Sequence, residues 1–343
     1  MPIATSDQYR AMIAAARAGR YAYPAVNVSS SETLNAALRG FAEARSDGII
    51  QITTGAAGYL SGQAADMAAG ARAFALFAHV LAARAPVLIA LHTDHATAEH
   101  VDGFIRPLLA ESRRRRERGE QPLFNSHMFD GSSLPLAENL RIAAKLLRET
   151  NELELLLELE IGSVGGEEDG INNEQVAREL LYTTPADALA VAETLGTGER
   201  GRYLLAATFG NVHGHYAPGN VKLRPEVLGE LQAAVGRRAG DGRGFDFVFH
   251  GGSGSSAAEI RAAVGYGVVK MNLDTDMQYA FTHAIEQHLD HRSADATAAS
   301  AAGVDKRIYD PRSWGRKAEL AMAARVRTAS ELLGSRGRTL ARD

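Results

Sequence analysis

Cysteine is absent from this sequence. Disulfides and thiolate ligands are therefore excluded, and any metal must rest on histidine and carboxylate. Lysine is scarce, with Lys145, Lys222, Lys270, Lys306 and Lys317 making up the whole set. Only Lys270 falls in a β-rich run, two residues before its end, so imine chemistry at a strand end lacks a good candidate. No apolar run approaches the ~18 residues of a membrane span. The N-terminal stretch Met1-Pro-Ile-Ala-Thr-Ser-Asp7 has neither the basic segment nor the apolar core of a signal peptide. Net charge is only −4, which argues against a general nucleic-acid or anionic-membrane binder. What remains is 343 residues with 45% hydrophobic content, enough for a large core. The expectation is a soluble, cytoplasmic α/β enzyme.

Eight short β-rich runs alternate with longer Ala/Leu-rich stretches, at 25–28, 48–52, 87–92, 123–127, 153–160, 203–208, 245–250 and 268–272. The segments 31–44, 64–84 and 137–150 carry the three-to-four-residue apolar spacing of helices. Eight such units favour a single closed (β/α)8 TIM barrel over the alternative, an open doubly wound sheet. The domain is expected to span 1–343, with a helical C-terminal extension over about 313–343. In run five, Glu154, Glu158 and Glu160 share a period of two, with leucines between them, which suits a strand with polar groups inward. Segments 236–244 and 292–303 read as irregular surface. The basic run Arg113–Arg116 is surrounded by Glu111, Glu117 and Glu120 and reads as a solvated helix face.

Unusual polar residues gather at the run ends: His92-Thr-Asp94-His95, His127 with Asp130, Glu158 with Glu160, Asn211-Val-His213, His250 and Asn272-Leu-Asp274. Catalytic groups of a barrel come from the C-terminal ends of several strands. Five of eleven histidines (His92, His95, His127, His213 and His250) fall on that rim. A lone histidine is usually a core residue, but this clustering favours a metal or catalytic site, with Asp94, Glu158 and Glu160 as nearby carboxylates. The stretch His250-Gly-Gly-Ser-Gly-Ser-Ser256 exposes unobstructed N–H groups ahead of a helix starting near Ala257, a phosphate-binding pattern. The polar segment 162–170 reads either as an ordinary loop or as a mobile lid carrying Glu167 and Glu168.

These motifs, in this order, resemble the class II fructose-bisphosphate aldolases across essentially the whole chain. The resemblance rests on Pro24-Ala-Val-Asn27, His92-Thr-Asp-His95, Ser126-His-Met128, Leu157-Glu-Leu-Glu160, Gly165-Gly-Glu-Glu-Asp-Gly170 and Phe209-Gly-Asn-Val-His-Gly214. It continues through Pro218-Gly-Asn220, Val248-Phe-His-Gly-Gly-Ser-Gly254, Gly267-Val-Val-Lys-Met-Asn272, Asp274-Thr-Asp276 and Tyr309-Asp-Pro-Arg312. It implies reversible cleavage of fructose 1,6-bisphosphate into dihydroxyacetone phosphate and glyceraldehyde 3-phosphate through a zinc-stabilised enediolate, in glycolysis and gluconeogenesis. The alternative is a relative acting on tagatose or sedoheptulose bisphosphate. By the resemblance His95, His213 and His250 are the zinc ligands, and Glu160 lies near an alternative metal position. Asp94 is the acid/base for the aldehyde oxygen, and Glu168, with Glu167 as substitute, moves the dihydroxyacetone-phosphate proton. Gly214, Gly251, Ser253 and Thr275 match the ketose-side phosphate positions. Asn27, Thr53, Asn272 and Asp274 match substrate contacts, and Arg312 matches the arginine for the other phosphate. A monovalent cation (Na+ or K+) is implied on the carbonyls of Val212, Gly214, Gly251 and Ser253. A homodimer or homotetramer is implied as well.

The chain departs from that family pattern in several places. Thr53 stands where the family usually has serine, keeping the hydroxyl and adding a methyl. Val28 and Ala96 replace cysteines. His215 and Ala217 stand where relatives commonly have valine and lysine, which removes a positive charge on the phosphate side. A non-catalytic, zinc-binding relative is a competing expectation, opposed by the joint presence of Asp94, Glu168 and the three histidines.

Overall fold

The computed structural model describes residues 3–162, 164–168, 171–172, 181–213, 222–239, 244–252, 254–290 and 309–341; of 165–168, 171–172, 212–213 and 239 only the backbone is described. The expectations placed on Gly214, His215, Ala217, Ser253 and segment 292–303 lie outside these residues.

Eight parallel strands close a barrel: β1 (Tyr23–Asn27), β2 (Gly48–Thr53), β3 (Ile89–Thr97), β4 (Ser126–Asp130), β5 (Leu156–Ile161), β8 (Tyr203–Ala207), β10 (Phe247–Phe249) and β11 (Val268–Leu273). Every expected β-rich run supplies one of them, and β1 pairs with both β2 and β11 to complete the ring. The parallel order follows from helical crossovers between successive strands. Between β5 and β8 the chain adds β6 (Gly165–Glu168) and β7 (Ile171–Asn172), an antiparallel pair. β6 also pairs in parallel with β9 (Val212–His213). Segment 162–170, read as a loop or a lid, thus contributes a strand to a small sheet.

Run five needs a correction. Glu154 is not in the strand: it sits at φ +57° before β5, is exposed and pairs with Arg116. The inward set on β5 is therefore Glu158 and Glu160, both buried, with Leu156 below them in the floor cluster. The arginine run does form a solvated face on α5 (Arg106–Glu117), where Arg113, Arg114, Arg115 and Arg116 each pair with a glutamate.

The floor of the barrel is apolar and plugged. Helix α1 (Ser6–Gly19) starts at a capping box between Thr5 and Gln8, which satisfies two otherwise orphaned N–H groups. Its buried face of Tyr9, Met12, Ile13 and Ala16 joins Tyr23, Ala25, Ile49, Ala90, Leu156, Leu204, Val248 and Val269. The plug keeps water out of the lower barrel, so the polar groups above it are desolvated from beneath.

Outer helices bury the other strand faces. α2 (Ser31–Ala44) has its expected bounds. Stretch 64–84 resolves into α4 (Met67–Ala82), preceded by the short α3 (Thr54–Leu60), and α6 covers Leu136–Asn151. Further helices are α7 (Pro185–Leu195), α8 (Glu226–Ala239), α9 (Ala257–Gly265), α10 (Thr275–Asp290) and α11 (Pro311–Leu332). Residues 236–239, expected to be irregular, complete α8. At Gly40 an added Cβ would come within 2.5 Å of the Val326 Cβ, so glycine is what lets α2 and α11 approach this closely. The chain past Leu332 is not helical as expected. It returns to β2, where buried Asp47 accepts from Thr339 Oγ1 at 2.5 Å and Leu340 N at 2.7 Å.

α4 is apolar on two sides. Phe74, Ala75 and Ala78 are buried, yet Leu76, Phe77 and Val80 are 41%, 40% and 72% exposed. A surface helix normally shows a single apolar stripe, so this second one marks α4 as unusual. Among the described residues no helix is long and apolar enough to cross a membrane.

Candidate metal and catalytic centre

The inward side chains turn polar toward the C-terminal ends of the strands. Asn27, Gln51, Thr53, His92, Asp94, His95, Asp130, Glu158, Glu160, His250, Lys270 and Asn272 are all buried. Successive residues of a regular strand point to opposite faces, so Asp94 and His95 should not share a site. A bulge lets them: the β3–β4 register shifts between Thr93 and Ala96, and His95 adopts φ +43°. Such a conformation costs a non-glycine residue about 1–2 kcal/mol. It aims both side chains at the same cluster.

His95 Nδ1 lies 3.0 Å from Asp130 Oδ2 and 3.7 Å from Glu160 Oε2. His250 Nδ1 lies 3.2 Å from Glu160 Oε2, and its Nε2 lies 2.9 Å from Glu158 Oε1. The two imidazole rings lie side by side with centroids 5.0 Å apart and their planes tilted by 52°. Glu158 is held in turn by Lys270 Nζ at 2.7 Å, while Asn211 Nδ2 donates to the His250 carbonyl at 2.9 Å. Three donor groups overlap here among the described residues: Asp94, His95 and His250; His92, Asp94 and Glu158; and His95, Asp130 and Glu160, each with ligand atoms within 4.8 Å of one another.

Asp94 is caged by amides. Its Oδ2 accepts from Gln51 Nε2 at 2.8 Å and Asn27 Nδ2 at 3.1 Å, and its Oδ1 accepts from Asn272 Nδ2 at 3.1 Å. Oδ2 carries two short amide bonds and Oδ1 one, so Oδ1 has more capacity to exchange a proton.

The electrostatics favour a cation. Asp94, Asp130, Glu158 and Glu160 are four buried carboxylates facing the one buried ammonium of Lys270 among the described residues. Burial opposes a charge on His250, but Glu160 and Glu158 outweigh it and push its imidazole up to about 9. Burial likewise opposes ionisation of Asp130, and hydrogen bonds from His95 and Ser132 hold it well below the usual carboxylate range. Glu158 is held low despite burial by Lys270, His92 and His250. A cluster that draws a proton onto a fully buried imidazole suits a divalent cation on imidazole and carboxylate donors. The donor set therefore fits zinc.

One expected member of the rim does not join the cluster. His127 points to the outer face of β4, with Nδ1 2.9 Å from Thr93 Oγ1 and its ring against Phe124. Burial pushes it down to about 3. It is a core histidine, because one residue of register separates the two faces of a strand. His92 does face inward, bonded to Ser126 Oγ at 2.8 Å, with Nε2 3.4 Å from Glu158 Oε2. His213 lies on β9 beside Gly166, and Glu168 lies on β6 opposite Ile171. Gln51 and Lys270 were not singled out for this site by the sequence. Lys270 lies within the motif Gly267-Val-Val-Lys-Met-Asn272, but only burial and contacts reveal the part that it and Gln51 take in this cluster.

Beside the cluster opens a cleft of about 530 Å³, lined among others by Asn27, Thr53, Ser29, Tyr59, Asp274 and Gln278. It brings together three of the expected substrate residues. Thr275 begins α10 at its edge. Gly251 adopts φ +60° and Gly254 φ +88°, and α9 follows from a Ser256–Glu259 capping box. The Arg312 side chain is 85% exposed and pairs with Asp310, apart from the residues that line the cleft.

The comparisons with known proteins point one way. The family model described as "Fructose-bisphosphate aldolase class-II" matches residues 7–338. A fructose-bisphosphate aldolase of Streptomyces galbus is 56% identical over 98% of this chain and 99% of its own length. One from Mycobacterium leprae is 51% identical over 99% of both chains. The crystal structure of a fructose-bisphosphate aldolase from Campylobacter jejuni superposes with a TM-score of 0.85 at 36% identity, covering 98% of this chain and 97% of its own.

Proposed function

The chain belongs to the class II fructose-bisphosphate aldolase family, and on that premise we infer that its caged aspartate and neighbouring histidines form the centre of a metal-dependent aldolase. It is a carbon–carbon lyase that cleaves fructose 1,6-bisphosphate reversibly to dihydroxyacetone phosphate and glyceraldehyde 3-phosphate. The whole chain is taken as one barrel unit, a reading supported by α11 packing on α2 and α10.

The observation that carries the site assignment is the convergence of His95, His250, Glu160 and Asp94 at one strand-end cluster. We assign His95, His213 and His250 as the zinc ligands, with Glu160 at an alternative position. Zinc bound there supplies a +2 charge that stabilises negative charge developing on the substrate carbonyl oxygen. Glu158 at His250 Nε2 and Asp130 at His95 Nδ1 orient the imidazoles. In cleavage the Asp94 carboxylate takes the proton of the substrate hydroxyl as the carbon–carbon bond breaks and the aldehyde forms. The bonding electrons stay with the ketose-side carbon, and Glu168 returns a proton to it. Burial of Asp94 above the α1 plug strengthens its transfer, because bulk water competes little for that proton.

The ketose-side phosphate is assigned to Gly214, Gly251, Ser253 and Thr275, supported by the left-handed glycines ahead of α9. Asn27, Thr53, Asn272 and Asp274 contact the sugar, a reading supported by the cleft that Asn27, Thr53 and Asp274 line. Arg312 is assigned to the other phosphate; its side chain is exposed and would have to leave Asp310 to reach it. A monovalent cation is assigned to the carbonyls of Val212, Gly214, Gly251 and Ser253. A homodimer or homotetramer is supported by the exposed stripe of Leu76, Phe77 and Val80, since contiguous apolar patches on monomers are small.

The test is a coupled assay on fructose 1,6-bisphosphate with EDTA and zinc re-addition. Activity should vanish with chelation and return with zinc. Asp94→Ala should keep its zinc while losing most turnover. Cleavage that survives exhaustive chelation would sink the reading.

A further inference from the structure

Lys270 is fully buried and has no part in the chemistry above. Its strand carries a register irregularity, with Phe247 opposite Val268 but Val248 opposite Lys270. Lys270 and Asn272 are two residues apart and share the inward face. The ammonium donates to Glu158 Oε1 at 2.9 Å and to Asn272 Oδ1 at 2.8 Å, and lies 2.7 Å from Glu158 Oε2 as an ion pair.

We propose that Lys270 is a positioning residue for the aldehyde-side proton transfer: anchored by Glu158, its ammonium fixes the Asn272 amide so that Nδ2 faces Asp94.

The argument is one of hydrogen-bond capacity. An asparagine amide can present either its oxygen or its nitrogen to a neighbour, and the two orientations differ little in shape. An ammonium has donors and no acceptor, so only Oδ1 can face Lys270. Nδ2 is then turned toward Asp94, at 3.1 Å from Oδ1 and 3.4 Å from Oδ2. A flipped amide would set its oxygen against a carboxylate and leave Asp94 with Asn27 and Gln51 alone. Lys270 needs a fixed counter-charge to remain buried, and Glu158 supplies one while also bonding His250 Nε2. One ammonium thus ties the orientation of a ligand histidine to that of the proton-transfer carboxylate. The proposal rests on the reading of Asp94 as the aldehyde-side acid/base.

The experiment uses the full-length, zinc-loaded enzyme and compares Lys270→Met, Asn272→Ala, the double variant of these, Lys270→Met/Glu158→Gln and Asp94→Ala. Three quantities are read: kcat and KM for cleavage, zinc content, and exchange of the dihydroxyacetone-phosphate carbon proton with solvent deuterium. That exchange is assigned to Glu168 and bypasses Asp94. Lys270→Met/Glu158→Gln leaves no stranded charge and should fold; the looser hold on His250 that follows from Glu158→Gln is offset by assaying it at saturating zinc. It should still lose about tenfold to a hundredfold in kcat, with KM and proton exchange changed less than about threefold. In the Asn272→Ala background, Lys270→Met should cost little more, because both act through one amide. A charge-free pair variant that cleaves like wild type, losses that multiply in the double variant, or proton exchange that falls in step with cleavage would each overturn the proposal. Full turnover by Asp94→Ala would overturn the assignment of Asp94, and this proposal with it. Loss in Asp94→Ala without loss in the Lys270 variants would overturn the role of Lys270 alone.

Discussion

Asn211 offers the sharpest test of how the fold holds the metal cluster. It is 2% exposed; its Nδ2 donates to the His250 carbonyl at 2.9 Å and its Oδ1 accepts from Phe209 N at 2.8 Å. One amide therefore clasps the end of β10 to the turn that leads into β9, and joins the backbone beside His213 to that of His250. Asn211→Ala strands a buried carbonyl and a buried N–H, each worth about 1–3 kcal/mol when unsatisfied. Water entering the space left by the side chain recovers part of that, so a stability loss of about 2–4 kcal/mol is expected. Loosening the backbone that carries His213 and His250, two of the proposed ligands, should also weaken zinc binding by about tenfold to a hundredfold, or roughly 1.4–2.8 kcal/mol. Zinc affinity is read by competition with a chromophoric chelator, and stability by denaturant unfolding of the metal-free protein. Asn211→Asp keeps the acceptor for Phe209 N but sets an anion against the His250 carbonyl, so it should weaken zinc binding at least as much. A variant that loses stability yet binds zinc within about twofold of wild type would show that the clasp is structural only.

Two further outcomes follow from the same geometry. His127→Leu should keep zinc and activity within about threefold and change stability by less than about 2 kcal/mol, because the buried Nε2 it removes has no hydrogen-bond partner and loss of an unsatisfied polar atom offsets loss of the Thr93 bond; His250→Leu should lose metal and activity together. If His127→Leu releases zinc, the outward placement of that ring is wrong. Val80→Asp, on the exposed stripe of α4, should lower the molar mass in sedimentation by half or more if α4 is an assembly surface, and an unchanged mass would remove α4 from that role.

Much of the barrel was legible in the chain because it rests on local periodicity. The alternation of β-rich runs with helical spacing marks all eight barrel strands, and apolar spacing alone bounds Ser31–Ala44, where the structure adds the Ser30 cap. Run five was misjudged at its start because a period of two cannot tell a strand residue from one in the turn before it. Glu154 fits the pattern, but its left-handed backbone places it outside. The strand-end histidines and carboxylates were visible because polar residues ending apolar runs stand out.

The sequence by itself determined which chemistry this protein holds: no thiolate, histidine and carboxylate at the strand ends, and an ordered set of motifs shared with one family. Only the tertiary structure decided which of those groups meet. The bulge at His95 turns two consecutive side chains inward, which ordinary alternation forbids. One residue of register sends His127 outward while His92 points in. Asp94 gathers amides from residues 27, 51 and 272, three strands that closure of the barrel makes neighbours. Periodicity is a property of adjacent residues, whereas hydrogen-bond partnership across a barrel depends on register and closure, which no local pattern encodes.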